Sequence, residues 1–170
     1  MKQRLFLMIL ATLFSLNGSA YDVGRLRELF YKASQDASAT EVFYSEMKQV
    51  SEKDGGILLG YKAMAELMKC YHSFNPVNKL VYFDKGKDHL NSAVQSDSTN
   101  IELRYLRFSV QTNVPVFLGY KENIAQDKKF IIDNLGATSS DPALQKMIVS
   151  FLLSSNYCSE KEKQQLSGNL

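Results

Sequence analysis

The sequence predicts an all-α protein, with antiparallel helical hairpins stacked into an array of about seven or eight helices. Three observations predict it. Apolar residues recur at three- and four-residue spacing along nearly the whole chain. Strict alternation of apolar and polar residues is nearly absent, and no Asn-Gly or Asp-Gly pair lies between β-rich segments. Sliding the chain against itself gives one self-similar register, at an offset of 34 residues.

The spacing predicts a first helix over 23–34, with Leu26, Leu29, Phe30 and Ala33 on one face. A second is expected over 40–51, carrying Val42, Phe43, Met47 and Val50, with Thr40 capping its first turn. Lys53-Asp54-Gly55-Gly56 is the clearest break. The long apolar segment 57–74 follows and stops at Asn75-Pro76, because proline lacks an N–H and restricts the residue before it. The helix expected over 77–95 uses Leu80, Phe83, Leu90 and Ala93 as its stripe, and Ser96 to Asn100 is a polar turn. The helix over 101–112 places Ile101, Tyr105 and Phe108 on one face. After an interruption at 113–115, Phe117, Leu118, Ile124, Ile131 and Leu135 carry the stripe to a stop at Gly136. Asp141-Pro142 reads as a helix start, with proline at the first helical position. Ser159 followed by Glu162 reads as a capping box for a short last helix.

In the 34-residue register four aligned pairs are identical: Tyr71 with Tyr105, Phe74 with Phe108, Phe83 with Phe117, and Lys87 with Lys121. That period is the one of the tetratricopeptide repeat, a helix–turn–helix unit stacked on its neighbours. The array is therefore expected to resemble a degenerate tetratricopeptide-like stack. Phe74 and Phe108 replace the small residue usual in such a unit, and Ser98 replaces the usual proline. The stretches Glu102 to Arg107, Pro115 to Tyr120 and Ile124 to Lys128 also resemble recurring elements of a family of small, uncharacterised exported helical proteins. That resemblance spans about 30 residues and implies no activity.

The N-terminus reads as a secretory signal peptide. Lys2 and Arg4 precede the apolar run Leu5 to Leu16, which is shorter than the roughly 20 residues a membrane span needs. Small residues Gly18, Ser19 and Ala20 follow, so cleavage is expected after Ala20, leaving one domain over 21–170 in the periplasm or outside the cell. The chain has 20 basic and 18 acidic residues; losing Lys2 and Arg4 leaves 18 of each. A neutral domain with dispersed charge is a poor ligand for a phosphate backbone, so nucleic acid is not an expected partner. The 45% apolar content excludes a disordered chain, and 3 prolines with 9 glycines exclude a collagen-like one. No membrane span is expected in the mature chain.

The catalytic inventory is thin. His72 and His89 are the only histidines, and no HExxH, GxSxG, GxGxxG or phosphate-loop pattern occurs. Cys70 and His72 are two apart and diverge on a helix, so no metal site and no cofactor are expected. An oxidising compartment permits a disulfide between Cys70 and Cys158, although in a stacked array their helices need not touch. The densest polar cluster is Glu102, Arg104, Tyr105 and Arg107. Arg104 and Arg107 share a helix face and pair structurally with an acid such as Asp127 or Glu122, or clamp an anionic partner. Tyr105 and Tyr120 suit a groove with one apolar and one wet side. The expected function is a non-catalytic exported module that binds a protein or peptide. The alternative is an enzyme or small-ligand binder built around Arg104 and Arg107.

Overall fold

The computed structural model describes residues 21–168, and the leader expected over 1–20 lies outside them. The described chain is all-α: eight α-helices joined by short turns, three of which are 3-10, and no strand. The helices are α1 (Val23–Gln35), α2 (Ala37–Met47), α3 (Gly56–His72), α4 (Pro76–Ser96), α5 (Ile101–Asn113), α6 (Ile124–Asn134), α7 (Pro142–Ser154) and α8 (Glu160–Ser167).

Local chemistry sets most boundaries. Asp36 is the whole joint between α1 and α2. Its N–H closes α1 on the Lys32 carbonyl at 3.1 Å, and its carboxylate accepts from the Ser38 N–H at 3.1 Å. The second helix therefore starts before the expected cap at Thr40. Thr40 is buried inside α2 instead, donating its hydroxyl to the Ala33 carbonyl at 3.0 Å across the corner. Ser51 and Asp54 form a capping box around a 3-10 turn, and Gly55 follows at φ 101°, a conformation that favours glycine. Asn75 caps α4 by accepting from the Val77 and Asn78 N–H groups at 2.8 and 3.2 Å, with Pro76 at the first helical position. Asp141 and Ser159 cap α7 and α8 at the expected residues.

α3 is the central element and packs against α1, α2, α4 and α5. Its seam with α4 is close because Gly86 has no side chain there: a Cβ would lie 2.6 Å from Leu67 Cγ and 3.0 Å from the Ala63 carbonyl. Tyr61, Met64, Phe43, Leu90, Leu106 and Phe108 fill the core around it. α6 returns antiparallel to α5, and α8 packs back on α7.

The 34-residue register joins residues of unlike surroundings. Tyr71 is 66% exposed and Tyr105 5%; Phe74 is 100% exposed and Phe108 fully buried; Phe83 is 4% exposed and Phe117 85%. The reason lies after α5. Pro115 and Gly119, the latter at φ 61°, hold Val116–Leu118 in a 3-10 turn, so α6 begins only at Ile124. That position aligns with Leu90, deep inside α4. The stripe expected to run from Phe117 is therefore interrupted, and Phe117 projects from a turn.

Candidate functional site

The arginines singled out in the sequence converge on one acid. Arg104 and Arg107 project from α5 towards α6, where Asp127 is fully buried. Arg107 donates from Nε to Asp127 Oδ2 at 2.7 Å and from a terminal nitrogen to Oδ1 at 2.8 Å. Arg104 donates to the same Oδ1 at 2.8 Å and from Nε to the Ser98 carbonyl at 2.9 Å. The Phe130 ring covers the Arg104 guanidinium at 5.0 Å. A carboxylate shared by two forked donors is saturated, and both arginines are themselves buried. The arrangement ties α5 to α6.

The two tyrosines are buried as well. Tyr105 packs edge-on against Phe151 of α7 at 5.6 Å, and burial, with Glu102 adding, pushes its hydroxyl up to about 12. Tyr120 packs on Phe83 at 6.1 Å and donates its hydroxyl to Asn91 at 2.9 Å; burial raises its pKa too. Neither offers a hydroxyl to a groove.

Cys70 and Cys158 are both free thiols. Cys70 lies near the end of α3, which packs on α1, α2, α4 and α5, whereas Cys158 precedes α8, which packs on α7. The disulfide an oxidising compartment permits is thus not formed here. Burial raises both thiol pKa values, which leaves little thiolate for chemistry.

A second ion cluster escaped the sequence reading. Arg27 of α1 donates to both oxygens of Glu102, each at 2.7 Å, and to Asp141 at 2.8 Å. Tyr61 donates its hydroxyl to the same Glu102. The hydrogen bonds to Glu102 raise the Arg27 pKa, while burial and the Glu102 charge raise that of Tyr61. Seventy-five positions separate Arg27 from Glu102, and no local pattern signals that pairing. Buried Glu66 meets His89 Nδ1 at 2.7 Å between α3 and α4. Among the described residues, no three His, Cys, Asp or Glu side chains gather where they could hold a metal ion.

What the charged clusters leave unassigned is apolar surface, and it concentrates at one end of the bundle. α3 and α5 both run towards that end, and α4 leaves from it. Every residue from Phe74 to Val81 is exposed, so the first turn of α4 stands clear of its neighbours on all sides. Val116 and Phe117 are exposed on the 3-10 turn after α5, and the contact of Tyr120 with Phe83 holds that turn beside α4. The opposite end, where Arg27 meets Glu102 and Asp141, is polar. A shallow cleft of about 300 Å³, lined by Glu52, Leu59, Ser92 and Ser96, opens near that polar end.

No family model, no curated protein and no solved structure matches the chain. Among the described residues, no helix is long and apolar enough to cross a membrane.

Proposed function

We propose that this chain is a non-catalytic exported module that acts by binding, and that the apolar end of the bundle is its contact surface. The observation that carries the reading is the run Phe74 to Val81, exposed throughout, beside exposed Val116 and Phe117. Folding alone gives no reason to keep these side chains in water, and large exposed apolar patches commonly mark interaction sites. The alternative, an enzyme or small-ligand binder around Arg104 and Arg107, has little support, because Asp127 already takes both guanidinium groups. A protein or peptide lying in a groove beside Tyr105 and Tyr120 has no more, since both rings are buried. The contact surface sits at the ends of helices, and export rests on the N-terminal pattern of Lys2 to Ala20.

The test is the double variant Phe74→Ser, Phe117→Ser. Both side chains are exposed, so its melting temperature should match the wild type within the small range of surface substitutions, about 0.5 kcal/mol. Its retention in the envelope fraction should fall sharply. Retention equal to the wild type would reject the apolar end as the contact surface.

A further inference from the structure

We propose that the apolar end docks on the surface of a phospholipid bilayer, with Phe74 and Phe117 entering the interfacial layer and Lys79 meeting anionic headgroups. This rests on the reading of that end as the contact surface, and names what it contacts.

The first argument is shape. A protein groove covers one face of a helix, but the start of α4 is exposed on every side from Phe74 to Val81. Two separate connections, after α3 and after α5, each carry an exposed phenylalanine, at 100% and 85% exposure. A fluid interface surrounds such projections without needing a matching surface, and takes up apolar side chains flanked by polar ones. The flanking residues suit headgroup depth: Tyr71 has an apolar ring and a wet hydroxyl, and Asn75, Asn78 and Asn113 are amides.

The second argument is charge. No acid occurs between Leu67 and Phe83, or between Leu103 and Lys121. Of the acids nearest this end, Glu41 holds Lys69, Asp84 lies 3.5 Å from Lys87 and Asp36 caps α2, while exposed Glu122 follows Lys121. Lys79 is exposed between the apolar residues of α4. Lys121, after the other turn, is engaged within the protein, its ammonium on the Gln111 carbonyl and the Tyr157 hydroxyl at 3.1 Å each. An exposed cation in an acid-free stretch favours an anionic surface, although the chain as a whole carries little net charge.

The third argument is rigidity. The His72 ring nitrogen meets the Ala33 carbonyl at 2.8 Å, fixing the end of α3 against α1. The glycine seam locks α3 to α4, and the Phe83–Tyr120 contact fixes the second turn. The two phenylalanines are thus presented in advance rather than ordered on binding.

The chain has no tryptophan, so a single introduced one reports its own surroundings. The variants are Phe74→Trp, Phe117→Trp and, on the exposed turn at the other end, Lys53→Trp, each in the full exported chain. With vesicles of phosphatidylglycerol and phosphatidylcholine, the first two should shift their emission to shorter wavelength and Lys53→Trp should not. The shift should weaken with added salt and with phosphatidylcholine alone. Vesicle partitioning of the wild type should drop roughly tenfold or more for each phenylalanine replaced by serine. No shift with either vesicle overturns the bilayer proposal. If the double serine variant then also loses a defined envelope protein that the wild type captures, the contact-surface reading stands with a protein as partner. If it loses nothing, both fail. Blue emission of Phe74→Trp before vesicles are added, growing with protein concentration, would overturn the proposal in favour of a second copy of the chain.

Discussion

Asp127 is the residue on which most depends. It is fully buried and accepts three hydrogen bonds from two buried arginines. Removing it leaves two guanidinium groups out of water without a counter-charge, so Asp127→Ala should cost about 3–5 kcal/mol. Arg107→Ala removes two of the three bonds to Asp127, and Arg104→Ala removes the third together with the bond to the Ser98 carbonyl, so each leaves Asp127 partly paired and should cost less than Asp127→Ala. Thermal or denaturant melts read this order. Equal and negligible losses at all three positions would mean that the cluster does not hold α5 to α6. The phenylalanines paired by the 34-residue register should likewise behave oppositely. Phe83→Ala opens a buried site and should cost about 3–5 kcal/mol, while Phe117→Ala should stay within about 0.5 kcal/mol. Comparable losses in the two melts would bury Phe117 after all.

Among the elements, α8 is held differently from the rest. Only Leu166 of α8 is buried, and Glu162 does the work of attachment, bonding Lys128 of α6 at 2.9 Å and closing the capping box on Ser159. Lys128 first, and the Ser159 N–H next, lower the Glu162 pKa from 4.5 to about 2. A carboxyl lowered in the folded state contributes stability above its unfolded value and loses it as pH falls through the folded one. α8 should therefore loosen between about pH 4.5 and pH 2, ahead of the α3–α4 seam. Hydrogen exchange at α8 amides against α3 amides, measured through that interval, checks it. Glu162→Gln should show the loosened α8 already at neutral pH. Uniform exchange across both helices would remove the special role of Glu162. The caps that define such elements were legible because they are local: Asp141-Pro142 and Ser159 with Glu162 lie within one turn of what they cap. The joint at Asp36 was missed because Thr40 offered a similar cap four residues on, and only the buried Ala33 carbonyl explains its true use. The pairing of Arg104 and Arg107 with an acid of the next helix was readable from their shared face, whereas Arg27 with Glu102 requires the tertiary fold.

Over the whole molecule, polar bonding gathers at one end and apolar exposure at the other. Arg27, Glu102, Tyr61 and Asp141 close the first; Phe74, Val77, Leu80, Val116 and Phe117 mark the second. The all-α class was legible from spacing, because three- and four-residue periodicity reports a helix wherever it lies. The apolar end was not, because the same periodicity cannot tell where one helix outruns its neighbours. Phe74, Leu80 and Phe117 continue amphipathic stripes in sequence, yet stand beyond the layer that would bury them. The central claim is that this end is covered when the protein is at work. Hydroxyl-radical footprinting of the chain in whole cells, compared with the purified chain, tests it most directly. Phe74 and Phe117 should be strongly protected in cells, and the partly exposed Ile57 and Leu58 at the polar start of α3 much less so. Equal oxidation of Phe74 and Phe117 in both samples would contradict the account.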